Sequence, residues 1–236
     1  MKIKHGLIML FIILSSGSLS QQGNYPESFR EPIKLFDAAL GDFHFPISSR
    51  VDSAQRFFNQ GFQLMYAFAK EDAARSFQAS RLADPECAIC WWGEAWAWGS
   101  YLNGAMTTAQ APRAYFALQQ AMQRIDSASQ KESDMIHALQ VRYIEDFNPQ
   151  TRRIQDQAYA DAMAILAEKY PDDEDLVTLY GDALFLLEER RGYRSLQDPN
   201  VERLHKVLLS VLEKNIKHPG ACHLLVHATE STATPE

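Results

Sequence analysis

Two cysteines separated by two residues stand in the stretch DPECAICWWGEAWAWGS, and this spacing could support thiol chemistry. Cys87 and Cys90 lie where a helix is predicted to begin, and the positive end of a helix dipole favours the thiolate form. A redox pair of this kind normally belongs to a strand–helix–strand unit, and the chain shows no strand pattern. Haem attachment is excluded because Trp91 occupies the place of the required histidine. We predict a disulfide or two buried thiols, with a metal half-site and catalysis as alternatives.

Histidines and a glutamate share one face of the last predicted helix, in the stretch HPGACHLLVHATE (218–230). At ~100° per residue, His223, His227 and Glu230 project within roughly 60° of one another, so they could chelate zinc, iron or copper. The histidine spacing matches that of helical zinc proteases, but Leu224 stands where those enzymes need a glutamate as general base. His218 could join from the preceding turn. A divalent-metal site and a polar helix face without a metal both stay open.

Tryptophans crowd the predicted helix that follows the cysteine pair. Trp92 and Trp96 are four residues apart and could form an aromatic surface for a ligand, although core packing is the simpler interpretation. Glu94 lies between them, and burying an unpaired carboxylate is unfavourable, so we expect it to face a groove or to meet a basic partner. Asn103 follows in a loop. These four residues are our candidates for ligand contact.

The helical part of the sequence follows a repeat of about 34 residues. With Ala54 as its first position, small residues fall where two antiparallel helices approach closely, at Gly61 and Ala73. Phe77 falls at the aromatic position that fills the groove between the helices, and Pro85 ends the second helix. The sequence therefore predicts an all-α protein built from antiparallel helix pairs.

Further units of the repeat follow with decreasing regularity. The second begins well, with Ala95 at the small position and Trp98 at the aromatic one, and its second helix arrives late, after the inserted loop SYLNGAMTTAQAP. A later unit opens at DLVTLYGDALFLL, where Gly181 is the predicted close-contact residue. Residues 222–230 resemble the first helix of another repeat without its partner. We expect this uncapped end to permit self-association.

The N-terminal residues and the net charge indicate where the protein works. Lys2 and Lys4 precede an apolar run and a stretch of small residues, which is typical of a secretory signal peptide over residues 1–20. Residues 21–50 are predicted to form an extended arm. With 46% hydrophobic residues and a formal net charge of −7, the chain should bury a core and repel nucleic acid and anionic lipid. We expect an exported, periplasmic or secreted protein with no membrane contact after signal cleavage.

The repeat signature resembles the tetratricopeptide (TPR) superfamily over most of residues 51–230. Four motifs, GDFHFPIS, DPECAICWWGEA, AYADAMAILAEKYPDD and HPGACHLLVHATE, also resemble a group of exported bacterial repeat proteins. This resemblance implies an α-α superhelix over residues 51–236, in a shortened array because members of the group run longer. Their last motif tends to carry a small amide where this chain has Cys222. TPR proteins usually hold peptides or helices in a concave groove.

The function expected from these observations is binding rather than catalysis. An exported helical-repeat scaffold would bind a protein or peptide in its concave groove, and the acidic composition favours a basic or neutral ligand. The alternative is a metal-binding protein or metal-dependent redox enzyme that uses His223, His227 and Glu230. The sequence contains no phosphate-cradling glycine loop, nucleophile elbow or paired glycosidase carboxylates. Acidic runs such as YPDDED are interpreted as solvated turns that start helices.

Overall fold

Nine α-helices form the regular structure of the described part of the chain, as its Ala-, Leu-, Gln- and Glu-rich sequence predicts. The computed structural model describes residues 25–36, 40–188, 195, 197–230 and 232. Over these ranges there is no β-strand, and an isolated bridge joins Tyr101 to Gly104. The all-α class is therefore confirmed. No helix in the described ranges is long and apolar enough to cross a membrane.

The chain divides into two compact units, Met1–Pro32 and Ile33–Glu236. The predicted signal peptide at residues 1–20 lies outside the described residues. The described part of the first unit contains one short 3-10 helix, Glu27–Arg30. The second unit contains every α-helix of the described residues. Their bounds are α1 Asp52–Tyr66, α2 Lys70–Ala83, α3 Ala88–Trp98, α4 Ala111–Gln123, α5 Gln130–Gln140, α6 Arg152–Lys169, α7 Glu174–Phe185, α8 Pro199–Leu212 and α9 Pro219–Thr229.

Side-chain caps fix where several helices begin. Ser129 and Glu132 form a capping box at the start of α5, so that each side chain satisfies a backbone N–H of the other residue. The Asp173 carboxylate accepts from the Leu176 amide at the start of α7. At the start of α9 the His218 ring takes this role, accepting from the Ala221 amide. These caps satisfy amide groups that the first turn of a helix leaves unpaired.

Each helix packs against the next one along the chain, from α1 through to α9. Helices two apart also meet, since α1 contacts α3, α3 contacts α5, and α7 contacts α9. The last helix, α9, then returns to contact α1. Helices from the two ends of the helical region therefore lie side by side, and this contact brings His218 and His223 to the carboxyl end of α1.

Aromatic rings fill the space between the first three helices. Phe62 of α1 lies at the centre, with its ring centre 4.9 Å from those of both Phe45 and Trp96. A Cβ atom added at Gly61 or at Gly93 would lie within 3 Å of the Phe77 ring, so both helices need glycine to approach this ring. We call this group the aromatic core; it comprises Phe45, Phe58, Phe62, Phe77, Trp92 and Trp96.

The segment before α1 is held against that helix by side-chain amides. The Gln55 amide pairs with the backbone at both Phe45 and Ile47, donating to the Phe45 carbonyl at 2.7 Å and accepting from the Ile47 amide at 3.0 Å. The Asn59 carbonyl oxygen accepts from the Phe45 amide at 3.2 Å. Because polar side chains of α1 replace the missing backbone partners, this irregular segment can cover the helix without unpaired groups.

Candidate functional site

An open cavity of about 850 Å³ lies beside the contact between α1 and α9, and we call it the acidic cavity. Its walls come from the segment before α1, the carboxyl end of α1, the amino end of α7 and the turn into α9. Its charged and imidazole side chains are Asp42, His44, Glu174, Asp175, Lys217, His218 and His223. Three carboxylates therefore face one ammonium group, which gives the lining an excess of negative charge when the histidines are neutral.

Asp175 is the residue that ties the walls of the acidic cavity together. Its Oδ1 atom accepts a hydrogen bond from the Tyr66 hydroxyl at 2.8 Å and lies 3.2 Å from His218 Nε2. Burial, and then the charge of Asp175, raises the pKa of the Tyr66 hydroxyl well above its usual value, so that hydroxyl remains a donor. The three side chains come from α7, α1 and the cap of α9, so one carboxylate links all three elements.

Further polar contacts hold the rim of the acidic cavity. The Asn215 amide donates to Glu174 Oε2 at 2.8 Å, which joins the turn before α9 to the start of α7. His44 is exposed, and its Nδ1 lies 3.1 Å from the Asn59 amide nitrogen. A Cβ atom at Gly220 would lie 2.4 Å from the Tyr66 ring, so glycine is required where α9 meets α1. Hydrogen bonds and one close packing contact therefore position these residues at the edge of the cavity.

The structure brings His223, His227 and Glu230 together, as their spacing predicts. His223 Nε2 lies 3.0 Å from His227 Nε2, and His227 Nδ1 lies 2.9 Å from Glu230 Oε1. His223 Nδ1 contacts the carbonyl oxygen of Tyr66, which joins α9 to the end of α1. Both imidazole rings also lie against Phe68, with ring-centre distances of 4.3 and 5.4 Å.

His218 is separated from this cluster by its own hydrogen bonds. Its Nδ1 accepts from the Ala221 amide at 3.1 Å, and its Nε2 faces Asp175. It is therefore a helix cap and cavity residue, and the idea that it joins a metal site with His223 and His227 is not supported by its position. Among the residues that the structure describes, no group of three or more His, Cys, Asp or Glu side chains is placed to hold a metal ion.

Three of the four predicted ligand-contact residues lie inside the protein. Glu94 is fully buried and pairs with Arg81, while Trp92 and Trp96 are 1% and 2% exposed within the aromatic core. The expectation of a basic partner for Glu94 is met, and its placement in a groove is corrected because no solvent reaches it. Asn103 is exposed in the turn between Tyr101 and Gly104. These residues do not form a common ligand surface.

A disulfide joins Cys87 to Cys90 at the amino end of α3. Cys87 is the capping residue of that helix, and its sulfur accepts from the Cys90 amide at 3.2 Å. Cys87 borders a cleft of about 260 Å³, whereas Cys90 is completely buried and receives a hydrogen bond from the Ser80 hydroxyl at 3.2 Å. Cys222 is a free, partly exposed thiol.

A cluster of charged groups surrounds Arg142, and its Asp182 lies near Tyr66. Arg142 is 3% exposed, and its guanidinium stands 4.7 Å from the centre of the Tyr159 ring. Burial raises the pKa of the Asp182 and Asp156 carboxyls, and Arg142 opposes this rise at both. Burial also lowers the pKa of the Lys70 ammonium to about 7, with Arg142 adding to the effect. Buried opposite charges of this kind offset one another's desolvation.

Sequence reasoning missed the central residues of the acidic cavity. The run YPDDED was interpreted as a solvated turn, and Asp173 does cap α7, but the side chain of Asp175 is only 16% exposed. The sequence did not indicate a role for Tyr66, because this residue is simply the last one of an amphipathic helix. One signal was present in the motif GDFHFPIS, where the polar residues Asp42 and His44 stand beside phenylalanines. The contact of α9 with α1, 157 residues apart at His223 and Tyr66, is what assembles the cavity.

Comparison of this chain with models of protein families, with curated proteins and with solved structures finds no match.

Proposed function

We propose that this protein is an exported helical-repeat binding protein of the TPR type, and that it receives a lysine- or arginine-bearing segment of a partner protein in the acidic cavity. The residues that would contact the cationic group are Asp42, Glu174 and Asp175. The role is binding rather than catalysis.

The packing of the helices supports the repeat part of this proposal. Contacts between successive helices, and between helices two apart, are those expected when antiparallel helix pairs stack into an α-α superhelix. Gly61 and Gly181 lie where the repeat requires small residues, and a Cβ atom at either would press on the Phe77 or Leu208 side chain of the paired helix. Such stacks commonly bind extended peptides on their inner surface.

The negative charge of the acidic cavity is the observation that indicates a cationic ligand. Asp42, Glu174 and Asp175 outnumber Lys217 in its lining, so a cation gains attraction there and an anion meets repulsion. Ligand pockets typically have volumes of about 300–1,000 Å³, and this one falls within that range. The Phe43 and Tyr66 rings in the wall can cover the methylene stem of a long basic side chain.

The direct test measures peptide binding by fluorescence anisotropy. The probes are labelled hexapeptides with central lysine or arginine, and matched peptides with central glutamate. We expect the basic peptides to bind more tightly, and their affinity to fall as salt is raised from low to physiological concentration. Equal affinity for basic and acidic peptides, or preference for the acidic ones, would refute the proposal.

Charge-removing variants tie that binding to the acidic cavity. The double variant Asp42→Asn, Glu174→Gln should weaken basic peptides about fivefold or more, from about 0.5–1 kcal/mol per partly exposed ion pair. The matched control is Glu168→Gln, because Glu168 is an exposed carboxylate of α6 outside the cavity lining. If the control lost about half as much binding free energy as the double variant, in proportion to the charges removed, the peptide would be responding only to net charge.

A further inference from the structure

The histidine pair of α9, His223 and His227, presents two ring nitrogens to each other. The Nε2 atoms are 3.0 Å apart, and the residues are one helical turn apart on the same face. Both side chains are partly exposed, so a small ion from solvent can reach them. The question is what occupies the space between the two nitrogens.

The hydrogen-bond partners of the outer nitrogens decide the tautomers. The Tyr66 carbonyl oxygen can only accept, so the Nδ1 atom of His223 must carry a hydrogen. The ionised Glu230 carboxylate also only accepts, so the Nδ1 atom of His227 carries one as well. In neutral imidazoles both Nε2 atoms are then unprotonated, and two lone pairs face each other. This arrangement is repulsive unless a cation lies between the nitrogens.

Phe68 supplies a second, independent indication of a cation at this place. Its backbone adopts the left-handed conformation with φ of 60°, which is unfavourable for a residue with a bulky side chain. This conformation lies in the turn between α1 and α2 and sets the Phe68 ring 4.3 Å from the His223 ring and 5.4 Å from the His227 ring, measured between centres. Strained residues of this kind cluster at ligand sites, and an aromatic face attracts positive charge.

We propose that His223 and His227 chelate one divalent transition-metal ion, of the Zn²⁺ or Cu²⁺ class, through their Nε2 atoms. Metal–nitrogen bonds of about 2.0–2.1 Å place two neighbouring ligands about 3 Å apart, in agreement with the observed separation. Tyr66 and Glu230 orient the rings through Nδ1, as partners of metal-bound histidines commonly do. Water or a donor atom from a partner completes the coordination. Imidazole nitrogen is a preferred ligand of both metals.

This ligand set differs from the one that the sequence predicts. Glu230 orients His227 and is not a ligand, because its carboxylate is used at Nδ1. His218 is excluded, because both of its nitrogens have other partners. The site therefore has two protein ligands and open positions, which is consistent with the lack of any three-residue metal group in the described ranges.

The test is calorimetric titration of chelator-treated protein with Zn²⁺ and with Cu²⁺. We expect one ion bound per chain, with binding lost in His223→Ala and in His227→Ala. Glu230→Gln should bind about tenfold more weakly, because an orienting partner is weakened while both ligands remain. The matched control is His137→Ala, which removes a histidine from the exposed face of α5. Circular dichroism checks that each variant is folded, and His227→Gln offers a polar replacement.

A proton shared between the His223 and His227 rings would also explain the short distance between their Nε2 atoms. The ¹⁵N spectra of the histidines distinguish this shared proton from a bound metal ion. One equivalent of Zn²⁺ per chain should shift the Nε2 resonances of both His223 and His227 in the wild-type protein. The metal site would be refuted if the Nε2 resonances did not change. It would also be refuted if His227→Ala bound Zn²⁺ and Cu²⁺ as tightly as the wild type does. No peptide enters this experiment, so its outcome is independent of the binding function proposed for the acidic cavity.

Discussion

The aromatic core and the contact between α9 and α1 both hold helix α1, and they do so by different physical means. In the aromatic core, rings and glycines pack closely and few polar atoms are involved. In the α1–α9 contact, Tyr66, Asp175, His218 and His223 meet through hydrogen bonds beside an open cavity. The first region provides stability by burial, and the second holds polar groups where a ligand can reach them.

The aromatic core should be the more sensitive of the two regions to a single substitution. Phe62→Ala removes a completely buried ring, which should lower the free energy of unfolding by about 3–5 kcal/mol. Urea denaturation followed by tryptophan fluorescence measures this change. The control is Leu82→Ala, at a position that is 65% exposed, where we expect a change within about 0.5 kcal/mol. Similar losses at both positions would contradict the described packing.

The charged groups around Arg142, which include Lys70, should make the free energy of unfolding depend on pH. Lys70 has a folded-state pKa of about 7 against an ordinary value near 10.5, so the unfolded chain binds more protons between these values. Stability should therefore rise with pH across this window, by at most about 2.7 kcal/mol over two pH units for one proton.

The variant Lys70→Met isolates this contribution. Denaturation curves between pH 7.5 and 9.5 should show a smaller rise in stability for the variant than for the wild type, because the titrating ammonium is absent. The upper limit stays below the range in which buried tyrosines titrate, since burial raises the pKa of Tyr143 to about 12. Parallel pH profiles for the two proteins would show that the Lys70 ammonium is not desolvated in the folded protein.

The hydrogen bond between Tyr66 of α1 and Asp175 of α7, beside the α1–α9 contact, should show a smaller effect in which the two residues depend on each other. Tyr66→Phe removes the hydrogen bond to the Asp175 carboxylate and should cost about 2 kcal/mol of stability, as for hydrogen bonds to charged groups. In the background of Asp175→Asn the same substitution should cost less, which a double-mutant cycle detects. Tyr115→Phe on α4 serves as the control. A coupling energy of zero would mean that the hydrogen bond between Tyr66 of α1 and Asp175 of α7 does not contribute to stability.

The sequence predicted the parts of the fold that depend on local spacing. Gly61 and Phe77 stand at repeat positions that require a small and an aromatic residue, and their close approach is confirmed. Gly181 of α7, which the sequence also predicts as a close-contact residue, likewise lies against Leu208 of α8. Such positions are predictable because neighbouring helices of a pair meet at fixed separations along the chain.

The candidate site was less predictable because it depends on long-range geometry. Whether α9 reaches α1 depends on the packing angles of all of the intervening helices, and no local pattern encodes those angles. The burial of Arg142 and Asp182 was missed for the same reason, although Asp182 stands in the apolar run LYGDALFLL. The histidine spacing was informative, but the partners of His218 and Glu230 became visible only with the fold.

Peptide binding in the acidic cavity can be tested most directly by following the histidine rings of the protein. His44, His218 and His223 line the acidic cavity, while His137 and His205 lie outside that lining. In ¹⁵N-histidine spectra recorded with chelator, a lysine-bearing hexapeptide should shift the first three resonances and leave the other two unchanged. Shifts confined to His137 and His205, or no shifts at saturating peptide, would contradict the binding function assigned to the acidic cavity.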